Sequence, residues 1–523
     1  MTNTQIYSLL EPQERKTPHL IITPKDCKTL LGNYLHSRAF DTVDFLTDDV
    51  PTIIYRQELF ADLLREPMLA ELLRSLLPLL ENMDELYRLR ENSHQTEGQL
   101  YAIKLIELYL TFIDTALNGI TRLQTFICSK SLTRFAKGIC AIAQSQDYRN
   151  LKTNTRKLSG EIAQVKCVTV GLNLDATFSP CEFGILALHD EYMQTNGLME
   201  RLLGQNETHG LSAICPLKNT SKLLNKEEKR FADMAISSVL SRLFKNAISD
   251  WEPTVKAFFR QHTKQFLPLI GEIRFILFGF DILAELKDNG LPLTVPVVKP
   301  KEQKAFCVES LYHPMLALQK HKVVPNNLIF DENGRIYLMT GPNSGGKTVF
   351  LTAIGICQIF TQLGFPIPAK RAEISPVDRL LVHFATKTTG ERGRLEEECA
   401  DVRAMFEKLT EYSMVLIDEA FSSTSSFEGA HIASDVLRAL SAYACRAIFA
   451  THMHELISMY GEINEQSFAR SKIDTLTAEL AHGEKRTYRI TRTVPDGKSY
   501  AKSISDRYGL DFETLYKQRG MTL

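Results

Sequence analysis

The chain has 523 residues, too many for one hydrophobic core, and implies about two to four domains. Hydrophobic residues at 44% and charged residues at 24% exclude a disordered chain. Lys+Arg at 61 against Asp+Glu at 62 exclude a strongly basic one, though not a local basic surface.

The first residues carry no apolar run behind a basic start, so no signal peptide is expected. Residues 1–40 read as an N-terminal arm. Residues 41–290 read as a helical region. Tyr55–Leu80 and Leu100–Ile127 repeat apolar residues at helical spacing, with Pro51, Pro67 and Pro78 as punctuation. Gln164–Leu188 alternates and holds β-branched residues, which predicts short strands in a small β or clamp insertion near 164–220. Long-helix character returns over Asn225–Gln265, where the charged run Lys226–Arg230 is expected to be a solvated face. Phe266–Leu286 is the most apolar stretch. It contains Glu272, Arg274 and Asp281, which are costly in lipid, so it reads as a buried amphipathic helix and no membrane segment is expected.

Asn289–Gln303, rich in Pro and Lys, is the expected domain boundary. Beyond it, over 300–523, short apolar strands alternate with helices. Ile336–Thr340, Leu380–Ala385, Met414–Asp418 and Ala447–Ala450 are the candidate strands, as in a mainly parallel α/β sheet. Thr475–Thr491 predicts a hairpin turning at His482–Gly483, and a last helix is expected over Tyr500–Tyr508. The ten cysteines are scattered with no CxxC pair, which argues against a zinc ribbon and for a reducing compartment.

The sharpest motif is Gly341-Pro342-Asn343-Ser344-Gly345-Gly346-Lys347-Thr348, a G-x-x-x-x-G-K-[ST] loop between an apolar strand and a helical stretch. Glycines let backbone N–H groups crowd around triphosphate oxygens, and the following helix offers its positive end. Lys347 would reach the β- and γ-phosphates, and Thr348 would give a hydroxyl to Mg2+. The strand Met414–Ile417 ends in Asp418 and Glu419. Asp418 would hold Mg2+, and Glu419 would orient or deprotonate the attacking water. The strand Ala447–Ala450 runs into Thr451-His452. At a strand's C-terminal end His452 faces the ligand crevice and could bond the γ-phosphate or the lytic water; the alternative is a structural histidine. His454 and Glu455 read as helix-start residues, and Phe350, Phe360 and Phe365 as core.

The segments TGPNSGGKT, LGFPIPAKRAEISPVDRL, VLIDEAFSSTSSFEG and IFATHMHEL, in that order, resemble the ATPase domain of the MutS family of mismatch-repair proteins. YHPMLALQKHKVVPNNL upstream and PDGKSYAKSISDRYGL downstream resemble the approach to that domain and its closing segment. VPTIIYRQELFADLL and GEIRFILFGFDILAEL resemble the start and end of the family's helical core and lever region. The resemblance implies an α/β ABC-like P-loop ATPase domain joined to an all-α core and lever. It implies Mg2+ and ATP as ligands, catalytic roles for Glu419 and His452, and a homodimer contacted through Ser422–Gly429. A cytoplasmic protein, nucleoid-associated if bacterial, is expected.

Departures from the family pattern are informative. No counterpart of the mismatch-reading domain, its Phe-x-Glu wedge or the connector domain is expected, nor the long C-terminal dimerisation segment. The signature serine falls at Gly393-Arg394-Leu395, where Arg392 or Arg394 could replace it by pairing with phosphate; a solvated charged loop is the other reading. The family's GRGTST loop here reads FSSTSS.

Two clusters could meet a nucleic-acid backbone: Arg149, Lys152, Arg156 and Lys157, and Lys485, Arg486, Arg489 and Arg492. Each could equally be a solvated surface. The expectation is a MutS-like ATPase coupling nucleotide state to DNA in repair or recombination, through backbone or structure rather than a mismatch, with a repair-protein partner. The alternative is an ATP-gated scaffold that recruits a protein without binding DNA. A transporter-type ATPase subunit fits less well, because the helical region is fused to the head.

Overall fold

The computed structural model describes residues 8–12, 21–36, 43–92, 95–163, 167–174, 176, 180–189, 245–261, 265–320, 323–342, 345–384, 393–480, 486–494, 508, 510 and 515. The chain divides into two compact units. One takes Glu71–Gln124 and Arg134–Ile273; the other takes Ser8–Ala70, Thr125–Thr133 and everything from Arg274 on. The division therefore falls inside the helix Leu269–Asp288 rather than in the Pro- and Lys-rich stretch that follows it. That stretch carries strand β3 (Val297–Val298), which pairs with β7 (Arg371–Ile374). Prolines at 292, 296 and 300 lack a donor, but Thr294 and Lys299 use theirs on Ile367 and Ile374.

The first unit is helical. Met68–Glu91, Gln95–Leu123, Lys130–Gln144, Gln146–Ala163 and Lys245–Gln261 form where apolar residues recur every three or four positions. Pro78 does not end a helix as expected. It lies inside Met68–Glu91, where buried Leu76 and Leu80 hold both flanks against the lost hydrogen bond. Tyr109, Phe112, Phe258 and Phe266 interlock edge to face around the core, each burying a ring worth about 1.5–3 kcal/mol. The expected β insertion contains an antiparallel pair, β1 (Cys167–Leu174) and β2 (Pro180–His189). Residues 190–244, with the charged run Lys226–Arg230, lie outside the described residues, as do His482–Gly483.

Tyr55–Leu80 proves to be two helices, the first of them, Val50–Arg65, in the second unit. Asp49 caps Val50–Arg65 by accepting from the Thr52 amide, and Glu66-Pro67 breaks the run because a residue before proline avoids the helical region. The head is a six-stranded sheet in the order β12 (Arg486–Thr491), β11 (Ile473–Leu480), β6 (Ile336–Thr340), β10 (Arg446–Ala450), β9 (Met414–Asp418), β8 (Leu380–Phe384). All but β12 are parallel to their neighbours. Strands β6, β9 and β10 are buried along their whole length, which explains their unbroken apolar runs. A second sheet, β3-β7-β4-β5, includes β4 (Phe306–Leu311) and β5 (Asn326–Phe330). The helix Lys347–Leu363 is apolar on nearly every face and buried over almost its whole length. The N-terminal residues are not a separate arm: Ile21 and Ile22 are buried, the Leu380 amide donates to the Ile21 carbonyl at 2.8 Å, and Leu30 packs on Gly355. Among the described residues no helix is long and apolar enough to cross a membrane.

Candidate functional site

Parallel strands deliver their C-terminal ends to one edge, and β10 lies between β6 and β9. Ala450 is in register with Met339 on one side and with Asp418 on the other. The glycine loop, the acidic pair and Thr451-His452 therefore leave the sheet side by side.

Gly341 leaves β6 at φ 135°, and a side chain there would meet Ala478 at 2.6 Å. Gly346, at φ 96°, caps the helix Lys347–Leu363. Both positions require the freedom only glycine has. Between them the Gly345 amide donates to the Pro342 carbonyl at 3.0 Å. Asn343 and Ser344 lie outside the described residues.

Lys347 is buried at 4% exposure. Its Nζ donates to the Gly341 carbonyl at 3.0 Å and the Pro342 carbonyl at 3.4 Å, and lies 3.9 Å from Glu419 Oε1. Burial pulls the ammonium below its ordinary range, opposed by the Glu419 and Asp418 carboxylates. Thr348 Oγ1 donates to Asp418 Oδ2 at 2.6 Å. Burial pushes the Asp418 carboxyl up, and the neighbouring Glu419 adds to this, while Thr348 and Lys347 oppose it. Asp418 Oδ1 is buried with no hydrogen-bond partner. A cation would satisfy that oxygen, and the donor set suits Mg2+, which takes one or two protein oxygens and leaves its other positions to phosphates and water. Among the described residues no group of three or more His, Cys, Asp or Glu able to hold a metal ion occurs.

Glu419 adopts φ 54° and Phe421 φ 61°, in the left-handed region where non-glycine residues cost about 1–3 kcal/mol each. The turn is held at three points. The Glu419 amide donates to the Ala450 carbonyl at 2.9 Å, and the Phe421 amide donates to Glu398 Oε2 at 2.8 Å. Ser423 Oγ also donates to Glu398 Oε2, at 3.2 Å. Half-exposed Arg394 donates to Glu398 Oε1 at 3.0 Å, so its guanidinium is engaged within its own chain. Arg392 is not among the described residues.

His452 is exposed and follows β10 directly. It lies near the Glu455 carboxylate, and among the described residues no bond ties it to Lys347 or Glu419. His454 immediately precedes the helix Glu455–Asn464, and its side chain makes no capping bond. Only the first half of Ser422–Gly429 is loop: Ser425 caps a helix beginning at Ser426, its hydroxyl and that of Thr424 both donating to the Glu428 carboxylate. Phe427 in that first turn is 65% exposed.

Beside the loop lies a cavity of about 560 Å³ that the sequence did not reveal as a pocket. Tyr312, His313, Leu316, Val324 and Tyr488 line it together with Lys347, Thr348 and Glu419. Burial drops His313 to about 4, and its Nδ1 accepts from the Leu316 amide at 3.2 Å. Phe350, Phe360 and Phe365 are all buried in the core as expected, and Phe350 also lines this cavity. Tyr488 had no sequence signal, because only the β11–β12 hairpin brings it to Gly346.

Comparison with family models matches residues 337–510 to MutS domain V and residues 48–299 to the MutS2 N-terminal domain.

Proposed function

Because the chain belongs to the MutS family, we propose that its head is an ABC-like ATPase that binds Mg-ATP and hydrolyses it, and that nucleotide state is coupled to DNA. The observation that carries the chemistry is the Thr348–Asp418 contact, with the second Asp418 oxygen left without a partner. It joins the first turn of the loop helix to the end of the acidic strand.

The 560 Å³ cavity, lined by Tyr312 and Leu316 as well as by Lys347, Thr348 and Glu419, supports a bound nucleotide with its phosphates at the glycine loop. Loop amides and the helix N-terminus receive the phosphates. Lys347, now held by the Gly341 and Pro342 carbonyls, exchanges these for β- and γ-phosphate oxygens. Mg2+, held by Thr348 and Asp418, would neutralise charge on those oxygens. Glu419, partly open to solvent and 3.9 Å from Lys347, orients and deprotonates water. His452 supplies a second donor to the γ-phosphate or that water from the end of β10.

Lys347→Ala removes a charge-assisted contact worth about 1.5–3 kcal/mol, so ATP affinity falls about 10- to 100-fold. Glu419→Gln keeps ATP bound but lowers turnover about 10²- to 10⁴-fold. Equilibrium binding of a fluorescent ATP analogue and steady-state phosphate release separate the two. Parental turnover in Glu419→Gln removes this assignment.

DNA contact is proposed through the backbone, at the exposed side chains of Arg149, Arg156 and Lys157. The ATP-gated scaffold stands as the second reading, because Lys152 and Arg492 are engaged by Asp114 and by Asp331 and Asp474. A homodimer closing on ATP is supported by the exposed Phe427 in the first turn after the acidic loop.

A further inference from the structure

We propose that Glu398 is a positioning residue for hydrolysis: its buried carboxylate holds the turn after Asp418 in the shape that aims Glu419. The proposal rests on the reading of Glu419 as the water-orienting base. Glu398 lies on the helix Arg394–Phe406, twenty residues before the acidic strand's end, and is 5% exposed. One oxygen accepts from both the Phe421 amide and the Ser423 hydroxyl; the other accepts from Arg394.

The physical reason lies in the backbone. Glu419 and Phe421 both take positive φ, with Ala420 between them. A turn of two left-handed L-residues relaxes unless its surroundings fix it. The Ala450 carbonyl fixes the near end through the Glu419 amide. Glu398 fixes the far end through the Phe421 amide, at 2.8 Å. Without it the buried Phe421 N–H loses its acceptor. The turn then shifts toward ordinary φ values, carrying Glu419 away from the crevice. Among the described residues no bond links Gly341, Pro342, Gly345, Lys347 or Thr348 to Glu398, so nucleotide binding is left intact.

The test compares Glu398→Ala, Glu398→Gln and Glu419→Gln in the full chain, reading kcat, KM for ATP and direct ATP affinity. A misplaced base costs turnover about 10²-fold, so Glu398→Ala should lose that much in kcat with KM and affinity within about twofold of the parent. Glu398→Gln keeps a carbonyl oxygen for the Phe421 amide and should recover most of the lost kcat. Parental kcat in Glu398→Ala overturns the proposal. Loss of ATP affinity together with kcat in Glu398→Ala, or no rescue by Glu398→Gln, also overturns it. If Glu419→Gln itself turns over normally, the reading of Glu419 falls first; if Glu419→Gln is inactive and Glu398→Ala is not, only the positioning role falls.

Discussion

Asp418 shows how a binding group is held at a cost to stability. Burial raises its carboxyl above the ordinary value of 3.8. A raised folded-state value means the native state holds the proton more tightly than the unfolded chain. That contribution to stability is complete below 3.8 and is lost as pH rises through the raised value. At neutral pH the ionised, half-satisfied carboxylate therefore opposes folding. Asp418→Asn keeps an oxygen for Thr348 and removes the charge. The nucleotide-free variant should melt above the parent at pH 7 while losing Mg2+-dependent ATP binding. A lower melting temperature would show instead that the charge stabilises the fold. His313 runs the other way. Its folded value near 4 lies below the ordinary 6.5, so its contribution is complete above 6.5 and is lost as pH falls toward 4. Denaturant midpoints across that window should fall for the parent and flatten in His313→Asn.

At the level of elements, Arg492 decides what the C-terminal hairpin can do. Its guanidinium bonds both Asp331 oxygens, at 2.6 and 3.0 Å, and Asp474 at 2.5 Å. It ties the end of β12 to β11 and to the turn before β6, and is not a free cation awaiting phosphate. Arg492→Ala should lower stability by about 1 kcal/mol and leave duplex affinity unchanged, as thermal melts and binding isotherms would report. A sequence count of basic residues cannot make that distinction, since the aspartates lie 161 and 18 positions away. The same contrast explains what was legible. Ile336–Thr340 and Met414–Asp418 appear as expected, because strands buried on both faces read as continuous apolar runs. The loop and acid motifs were legible because their spacing is local. Glu398 was not: a glutamate within GRLEEEC looks solvated, and its role exists only once the turn at Phe421 folds back on it. Pro67 behaved as a helix breaker and Pro78 did not, since flanking leucines decide the matter and local propensity does not.

For the whole molecule, two measurements separate the readings. Titrating duplex and branched DNA against salt should give a steep slope, and replacing Arg149 and Arg156 by Glu should reduce that slope by about 2. Absence of binding at low salt favours the scaffold. Mass in solution of Glu419→Gln should double with ATP, and Phe427→Ser should prevent it. The packing of Ile21 against Leu380 bears on synthesis as well as on stability. The open side of β8, the last strand of the sheet, receives a carbonyl from a residue that leaves the ribosome hundreds of positions earlier. At about 5–20 residues per second that interval is tens of seconds, during which the buried Ile21 has no β8 to pair with. Ile21 thus docks among the last residues to find its partner, and its exposure on the nascent chain is the vulnerable period in making the protein.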